Sequence, residues 1–268
     1  MKLRVYGKIN LSLHVGEKRG SLHAVDGIMS SIGLYDEVSI DFSDAVRVCM
    51  DGRTADGDNT VFKALKVFSE DFFPVNVSVD IRKGIPFSSG LGGSSADAAA
   101  VLFALGKMCG KDVSRSAIRV GSDVPFMLTG GTARVSGNGE TVQPFEAKSV
   151  NLLILTSGQV NTGEAFATFD KIGKSTAFSE ETVVAAKTAD CKLLRRYARN
   201  DLYPAASALN ADIEPMRSEL ESLGAEFVSM SGSGSAVYGI FGEPFEYRGK
   251  YRAYWTKTRN CGIEVTER

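Results

Sequence analysis

The sequence predicts a mixed α/β protein, sheet and helices packed in two layers and arranged in two successive halves. Three observations carry that prediction. In the first half, stretches of two-residue hydrophobic alternation interleave with stretches of helical spacing. The second half runs strand, helices, strand, strand, helix, strand, an order that suits a sheet-plus-helix domain. A length of 268 residues accommodates two such units at about 100–200 residues per domain, and a chain of that size buries a core without disulfide or metal staples.

The elements follow in order. Leu11, Leu13 and Val15 alternate with Asn10, Ser12 and His14, the pattern of a half-buried strand. Val38, Ile40 and Phe42 repeat it, as do Val75, Val77, Val79 and Ile81. Val61, Ala64, Leu65, Phe68 and Phe72 keep helical spacing, with Asn59 or Thr60 as the cap. A second helix is predicted from about Ser95 to Met108, with Ala98, Val101, Leu102 and Leu105 facing inward. The chain turns polar near Pro144–Val150, which divides it into residues 1–147 and 148–268. Beyond that point come a buried strand at Leu152–Leu155 and helices at Glu180–Lys187 and Ala205–Leu223, the second broken or kinked at Pro215. Strands at Phe227–Met230 and Ala236–Phe241, a helix near Tyr247–Lys257 and a strand at Ile263–Val265 complete the chain.

Composition excludes several functions. With 31 Lys+Arg against 32 Asp+Glu the net charge is −1, so no global basic footprint for nucleic acid exists. Cys49, Cys109, Cys191 and Cys261 form no CxxC pair, which fits reduced thiols and argues against a zinc ribbon. His14 and His23 are the only histidines, too few for a His-rich metal site. No apolar run approaches the roughly 20 residues of a membrane span. Lys8 and Asn10 interrupt any signal-peptide core after Lys2 and Arg4, so the chain reads as soluble and cytoplasmic.

Four segments carry potential chemistry. The strongest is Pro86-Phe-Ser-Ser-Gly90-Leu91-Gly92-Gly93-Ser94-Ser95-Ala-Asp97, after a strand and before a helix. Its glycines let backbone approach an anion, and N–H groups at a helix start bind phosphate. It lacks the lysine of a Walker loop and the third glycine of a Rossmann turn; taken alone it also fits a flexible loop with a serine cap. In Gly121-Ser-Asp123-Val-Pro125-Phe, Pro125 biases Val124 toward extended backbone and so fixes Asp123 at the end of an element. Asp123 there is either a general base or an Asx-turn residue. Lys8, within Tyr6-Gly-Lys8-Ile-Asn10-Leu, is either a solvated edge residue or a cation facing a cleft. Met230-Ser231-Gly232-Ser233-Gly234-Ser235 is a tight turn or a second donor-rich nest.

Together these segments resemble the GHMP kinase superfamily, which includes galactokinase, homoserine kinase and mevalonate kinase. Lys8-Ile9-Asn10-Leu11 matches its opening strand, Gly90 to Ala99 its glycine motif (with Ser94 and Ala96 departing) and Gly121 to Phe126 its Gly-Ala/Ser-Asp-Val-Pro-Phe. Gly137-Asn-Gly139-Glu140 and Met230 to Ser235 match two downstream motifs, and the likeness covers nearly the whole chain. Within the superfamily the motifs follow most closely the branch that phosphorylates the 2-hydroxyl of a cytidine diphosphate-linked methylerythritol in the non-mevalonate route to isoprenoids.

The resemblance implies a ribosomal S5 domain 2-like N-terminal domain and a ferredoxin-like C-terminal domain with the site between them. It implies Asp123 as the base and Lys8 as the cation that keeps it ionised and faces the transferring phosphoryl. ATP would lie on Asn59, Pro86, Gly90, Leu91, Gly92, Gly93, Ser94 and Ser95. It would be accompanied by Mg2+, for which no protein ligand is assigned. Asn10, Leu22, His23, Phe166, Ser231, Gly232 and Ser233 would meet the alcohol substrate. The branch's stacking Tyr is replaced by Leu22 in Gly20-Ser21-Leu22-His23, leaving His23 to read the base edge and Phe166 to stack on it. The segment Lys111–Val120 is shorter than is usual in the branch. A kinase for another small alcohol, or a non-catalytic nucleotide-binding relative, stays open at this point. A monomer or weak homodimer is expected.

Overall fold

The computed structural model describes residues 1–267 except 21, 56 and 58; Ser21, which falls within the Gly20–His23 segment, lies outside the described residues. The chain opens with two long strands, β1 (Lys2–Arg19) and β2 (Leu22–Phe42), paired antiparallel along their length. Next come β3 (Arg47–Met50), β4 (Arg53–Thr54), α1 (Thr60–Asp71), β5 (Val77–Arg82) and α2 (Gly93–Cys109). Two short helices, α3 (Ser114–Val120) and α4 (Val124–Thr129), lead to the hairpin of β6 (Thr132–Gly137) and β7 (Thr141–Phe145). The second half holds β8 (Asn151–Thr156), α5 (Thr162–Ile172), α6 (Glu181–Thr188), α7 (Cys191–Tyr197), α8 (Tyr203–Leu209) and α9 (Ile213–Ser222). It ends with β9 (Phe227–Met230), β10 (Val237–Phe241), β11 (Arg252–Arg259) and β12 (Ile263–Glu267).

The mixed α/β class holds, with helices packed on an extended, mostly antiparallel sheet. The strand order runs β4-β3-β5-β2-β11-β8-β10-β9, with β1 between β2 and β12 and β6 beside β2. The two halves of this sheet meet where Thr258 and Arg259 of β11 pair with Ile32 and Ser31 of β2. One core lies under α1, α2 and α4 and includes Ile28, Phe68, Leu102 and Phe126. A second lies under α5, α8 and α9 and includes Leu153, Leu155, Phe169, Met216 and Leu220. Ala98 to Leu102 of α2 are all fully buried, and their small side chains let the helix lie close to sheet and neighbours. No helix among the described residues is long and apolar enough to cross a membrane.

Asn59 caps α1, its side chain accepting from the Val61 and Phe62 amides. Three expectations are corrected. The β1 segment is not half-buried: Asn10, Ser12 and His14 are as buried as Leu11 and Leu13. Both faces of β1 are covered, and the polar residues find internal partners, as when Ser12 Oγ accepts the Ile28 amide. The segment around Tyr247–Lys257 is not a helix; Arg252–Arg259 forms β11, with Trp255 opposite Leu153. Ala253 and Trp255 pack on the second core and Tyr254 on the first, a period of two in an aromatic, β-branched run. Finally, 205–223 is two helices, and the break falls at Asn210–Asp212 rather than at Pro215. Pro215 stands in the first turn of α9, where its missing N–H costs nothing.

Candidate active site

Lys8 reaches the site because β1 is irregular there. The pairing with β2 shifts between Tyr6 and Lys8 and again between Asn10 and Ser12, and such bulges re-aim side chains. The Lys8 side chain is 4% exposed. Its Nζ donates to Asn10 Oδ1 at 2.6 Å and lies 3.5 Å from Asp123 Oδ2. A buried ammonium is tolerated when it is paired and hydrogen-bonded, so the solvated-edge alternative for Lys8 is overturned.

The glycine-rich segment wraps Lys8 from one side. Leu91 is fully buried and its carbonyl accepts the Lys8 amide at 2.9 Å. Gly90 and Gly92 have φ of 78° and 77°, the left-handed region where a side chain is strained. A Cβ on Gly92 would overlap Met127 Cε and lie 3.1 Å from Lys8 Cγ. Gly92 is the N-cap of α2 and supplies no side-chain cap, so the first amides of that helix are open to an anion. Thr60 Oγ1 donates to the Ser94 carbonyl at 2.8 Å, which brings Asn59 and the start of α1 beside the loop.

The second small-residue loop packs against the first. Ser231 Oγ donates to the Gly90 carbonyl at 2.8 Å, and the Ala236 amide donates to the Ser89 carbonyl at 2.9 Å. A Cβ on Gly232 would stand 3.1 Å from Lys8 Nζ. Ser233 Oγ pairs with Thr162 Oγ1 at 3.0 Å. Sequence reasoning missed Asn200, whose Nδ2 bonds the carbonyls of Met230 and Gly232, and Tyr238, whose hydroxyl donates to the Asn10 carbonyl. Neither carries a motif; only the fold brings them there.

Asp123 is the N-cap of α4, with helical φ and ψ of −86° and −15°. The expected extended geometry at Val124 is corrected: Val124 begins the helix, and Pro125 stands in its first turn, where its ring fits. The Asp123 side chain is 29% exposed and makes no cap bond, so its carboxylate is left to face Lys8. A Cβ on Gly139 would collide with the Ser122 carbonyl, so the Gly137–Gly139 turn closes against the residue beside Asp123.

Behind the glycine loop lies a charged cluster that sequence reasoning also missed. Lys83 Nζ bonds Asp36 Oδ2 and, at 2.6 Å, Asp97 Oδ2, with all three side chains nearly inaccessible. Burial works against the Lys83 ammonium, yet the Asp97 and Asp36 carboxylates outweigh it and raise its pKa. Burial pushes the Asp97 carboxyl up to about 8, against the pull of Lys83.

At the tip of the β1–β2 hairpin, the His23 ring stacks on Phe166 of α5, centroids 5.6 Å apart and planes 17° from parallel. His23 Nε2 pairs with Asp170 Oδ1 at 2.7 Å and Nδ1 with the Gly16 carbonyl at 3.1 Å. Lys18 also grips Asp170 at 2.8 Å, and its hydrogen bond leads the effects that hold that carboxyl below the usual range. His23 and Phe166 are thus brought together, while Leu22 stands 51% exposed at the tip.

Comparison with known proteins adds sequence evidence. The family model described as GHMP kinases N terminal domain matches residues 59–131, and the one described as GHMP kinases C terminal matches residues 182–255. A 4-diphosphocytidyl-2-C-methyl-D-erythritol kinase of Thermoanaerobacter pseudethanolicus is 34% identical, covering 100% of this chain and 99% of that protein. The enzyme of the same name from Desulfitobacterium hafniense is 34% identical over 99% of this chain and 95% of its own length. A crystal structure of 4-(cytidine 5'-diphospho)-2C-methyl-D-erythritol kinase superposes with a TM-score of 0.78 at 26% identity, covering 96% of this chain and 99% of that one. Homoserine kinase from Cytophaga hutchinsonii shares the fold, with a TM-score of 0.72 at 17% identity, over 98% of this chain and 96% of its own.

Proposed function

The chain belongs to the GHMP kinases, and from that premise we propose that it transfers the γ-phosphoryl of ATP to the 2-hydroxyl of 4-diphosphocytidyl-2-C-methyl-D-erythritol. One observation carries the mechanism: Lys8 links the proposed base to both glycine-containing loops. Its Nζ faces Asp123, its stem lies against Gly92 of the phosphate loop, and it borders Gly232 of the second loop. The substrate class rests on the near full-length likeness to kinases of that name.

Asp123 accepts the proton of the attacking hydroxyl, whose oxygen bonds to Pγ as the bond from Pγ to the β–γ bridging oxygen breaks and ADP leaves. Lys8 orients the Asp123 carboxylate and faces the charge on the transferring group. Gly90 to Ser95 and the first amides of α2 cradle the phosphates, with Pro86 and Asn59 flanking the nucleotide. Such transfer is chiefly positioning and electrostatic stabilisation. Ser231, Gly232 and Ser233, with Asn10, border the alcohol. We divide the chain at 147/148, between β7 and β8.

Mg2+ fits as an ion carried by the nucleotide. Among the described residues no group of three or more His, Cys, Asp or Glu side chains is arranged to hold a metal, and Mg2+ in such sites is held by substrate phosphates with one or two carboxylates. Asp123 is committed to Lys8 and to the proton, so the phosphate oxygens would hold the ion. Bound there, the ion would spread the phosphoryl charge.

On the substrate side, Phe166 stacks on the cytosine, and His23, which lies beside Phe166, reads the base edge. Phe166→Ala then raises the KM for the cytidyl substrate by up to about tenfold, the value of one aromatic pair, with the KM for ATP unchanged. Leu22→Tyr lowers it by a similar factor, and the double variant is non-additive because both changes touch one base. Steady-state kinetics with each substrate varied separately check this. If both variants leave the cytidyl kinetics unchanged, the cytidine assignment is wrong and the alcohol is a different one.

A further inference from the structure

Asp36, Lys83 and Asp97 come from distant parts of the chain and meet in the interior directly behind the phosphate loop. A Cβ on Gly93, the first residue of α2, would lie 3.4 Å from Lys83 Nζ. Two carboxyls face one ammonium, and a buried net charge is costly. The hydrogen bonds tell the carboxyls apart. Asp36 accepts from three donors, the Gly84 amide at 2.7 Å, the Ile85 amide at 2.8 Å and Lys83. Asp97 accepts from Lys83 through Oδ2 and faces the Asp36 carboxyl, and its buried Oδ1 has no partner among the described residues.

We propose that Asp97 is a positioning residue that carries a proton, so that the Asp36–Lys83–Asp97 cluster is charge-balanced and places no net negative charge behind the start of α2, where the nucleotide phosphates lie. This rests on the reading of that loop as the ATP site. The groups that shift Asp97 are Lys83 and Asp36, and its titration is centred at about 8. Of the other elements packed on α2, α4 carries no titratable side chain, and Lys8 of β1 turns to Asp123. Lys63, Lys66, Glu70 and Asp71 of α1, and Arg115 and Arg119 of α3, are exposed.

Loss of the Asp97 proton adds a negative charge to the α2 start, where the helix favours anions, and so opposes a polyanion. Binding and protonation are therefore linked: ATP favours the protonated form, and its binding near pH 8 takes up a proton. Calorimetry of ATP binding to the full chain, in buffers of different ionisation enthalpy, reads this directly. The expected Kd rises about two- to fivefold between about pH 7 and about pH 9.5, the order of one charge near a helix start, with proton uptake midway. Asp97→Asn, neutral at every pH, binds ATP as the wild type does at pH 7, shows no alkaline loss and takes up no proton. The wild-type proton uptake needs no variant, so the test stands even if Asp97→Asn does not fold. A wild-type Kd independent of pH, or an alkaline loss retained in Asp97→Asn, overturns the proposal alone. Absence of ATP binding at every pH overturns it together with the kinase reading.

Discussion

Replacing Asp123 with Asn is expected to lower phosphoryl transfer by about 10²–10⁴-fold, the worth of a positioned general base, while ATP binding stays nearly intact. The change is isosteric, and Asp123 makes no cap bond for α4, so the helix does not depend on its charge. Lys8 keeps its bond to Asn10 Oδ1 at 2.6 Å and remains anchored. Loss of the carboxylate removes the proton acceptor and also the anionic partner of the buried Lys8, so a thermal melt accompanies the assay. The loss belongs in kcat, with the nucleotide Kd as the control. A variant that keeps more than about half the wild-type rate would show that Asp123 is not the base.

Gly92→Val is expected to weaken ATP binding far more than binding of the alcohol. At φ 77° a β-branched residue is strained by about 1–3 kcal/mol. Its Cβ would overlap Met127 Cε and press on Lys8 Cγ at 3.1 Å. Met127 is flexible at that end and can give way, but the backbone strain remains. The loop must then open at the start of α2, the place proposed for the phosphates. Calorimetry with ATP and a thermal melt separate a lost site from a lost fold. Unchanged nucleotide affinity in a folded variant would put the phosphate site elsewhere.

The parts of this site that lie in contiguous motifs were legible in the sequence. Lys8, the Gly90–Ser95 loop, Asp123 and Met230–Ser235 each pair a required backbone shape with a required functional group within a few residues, and the fold brings all four together around Lys8. Residues whose role depends on long-range meeting were not. Asp36, Lys83 and Asp97 gain meaning only when β2, the end of β5 and α2 converge, and Asn200 only when its loop passes under Met230 and Gly232. The same limit affected the elements. Alternation identifies a strand with one wet face, so β1, buried on both, read as half-exposed. The β11 segment was read as a helix because its period-two signal, Ala253 and Trp255 against Tyr254, emerges only once two cores exist to receive it. Pro125 and Pro215 were read as disruptors of helix geometry, whereas each occupies a first helical turn, where its ring is tolerated.

The central claim is that this chain moves a phosphoryl group from ATP to one particular alcohol. Coupled detection of ADP release, with 4-diphosphocytidyl-2-C-methyl-D-erythritol, mevalonate, homoserine and galactose offered in parallel, tests it most directly. The account predicts ADP formed in step with a product phosphorylated at the 2-hydroxyl of the cytidyl substrate, and a rate at least about 10²-fold lower with the other three, because a site built to bind one set of polar groups leaves them unpaired with the wrong partner. Turnover of mevalonate, homoserine or galactose with none of the cytidyl compound, or ADP release with no alcohol phosphorylated, would contradict it.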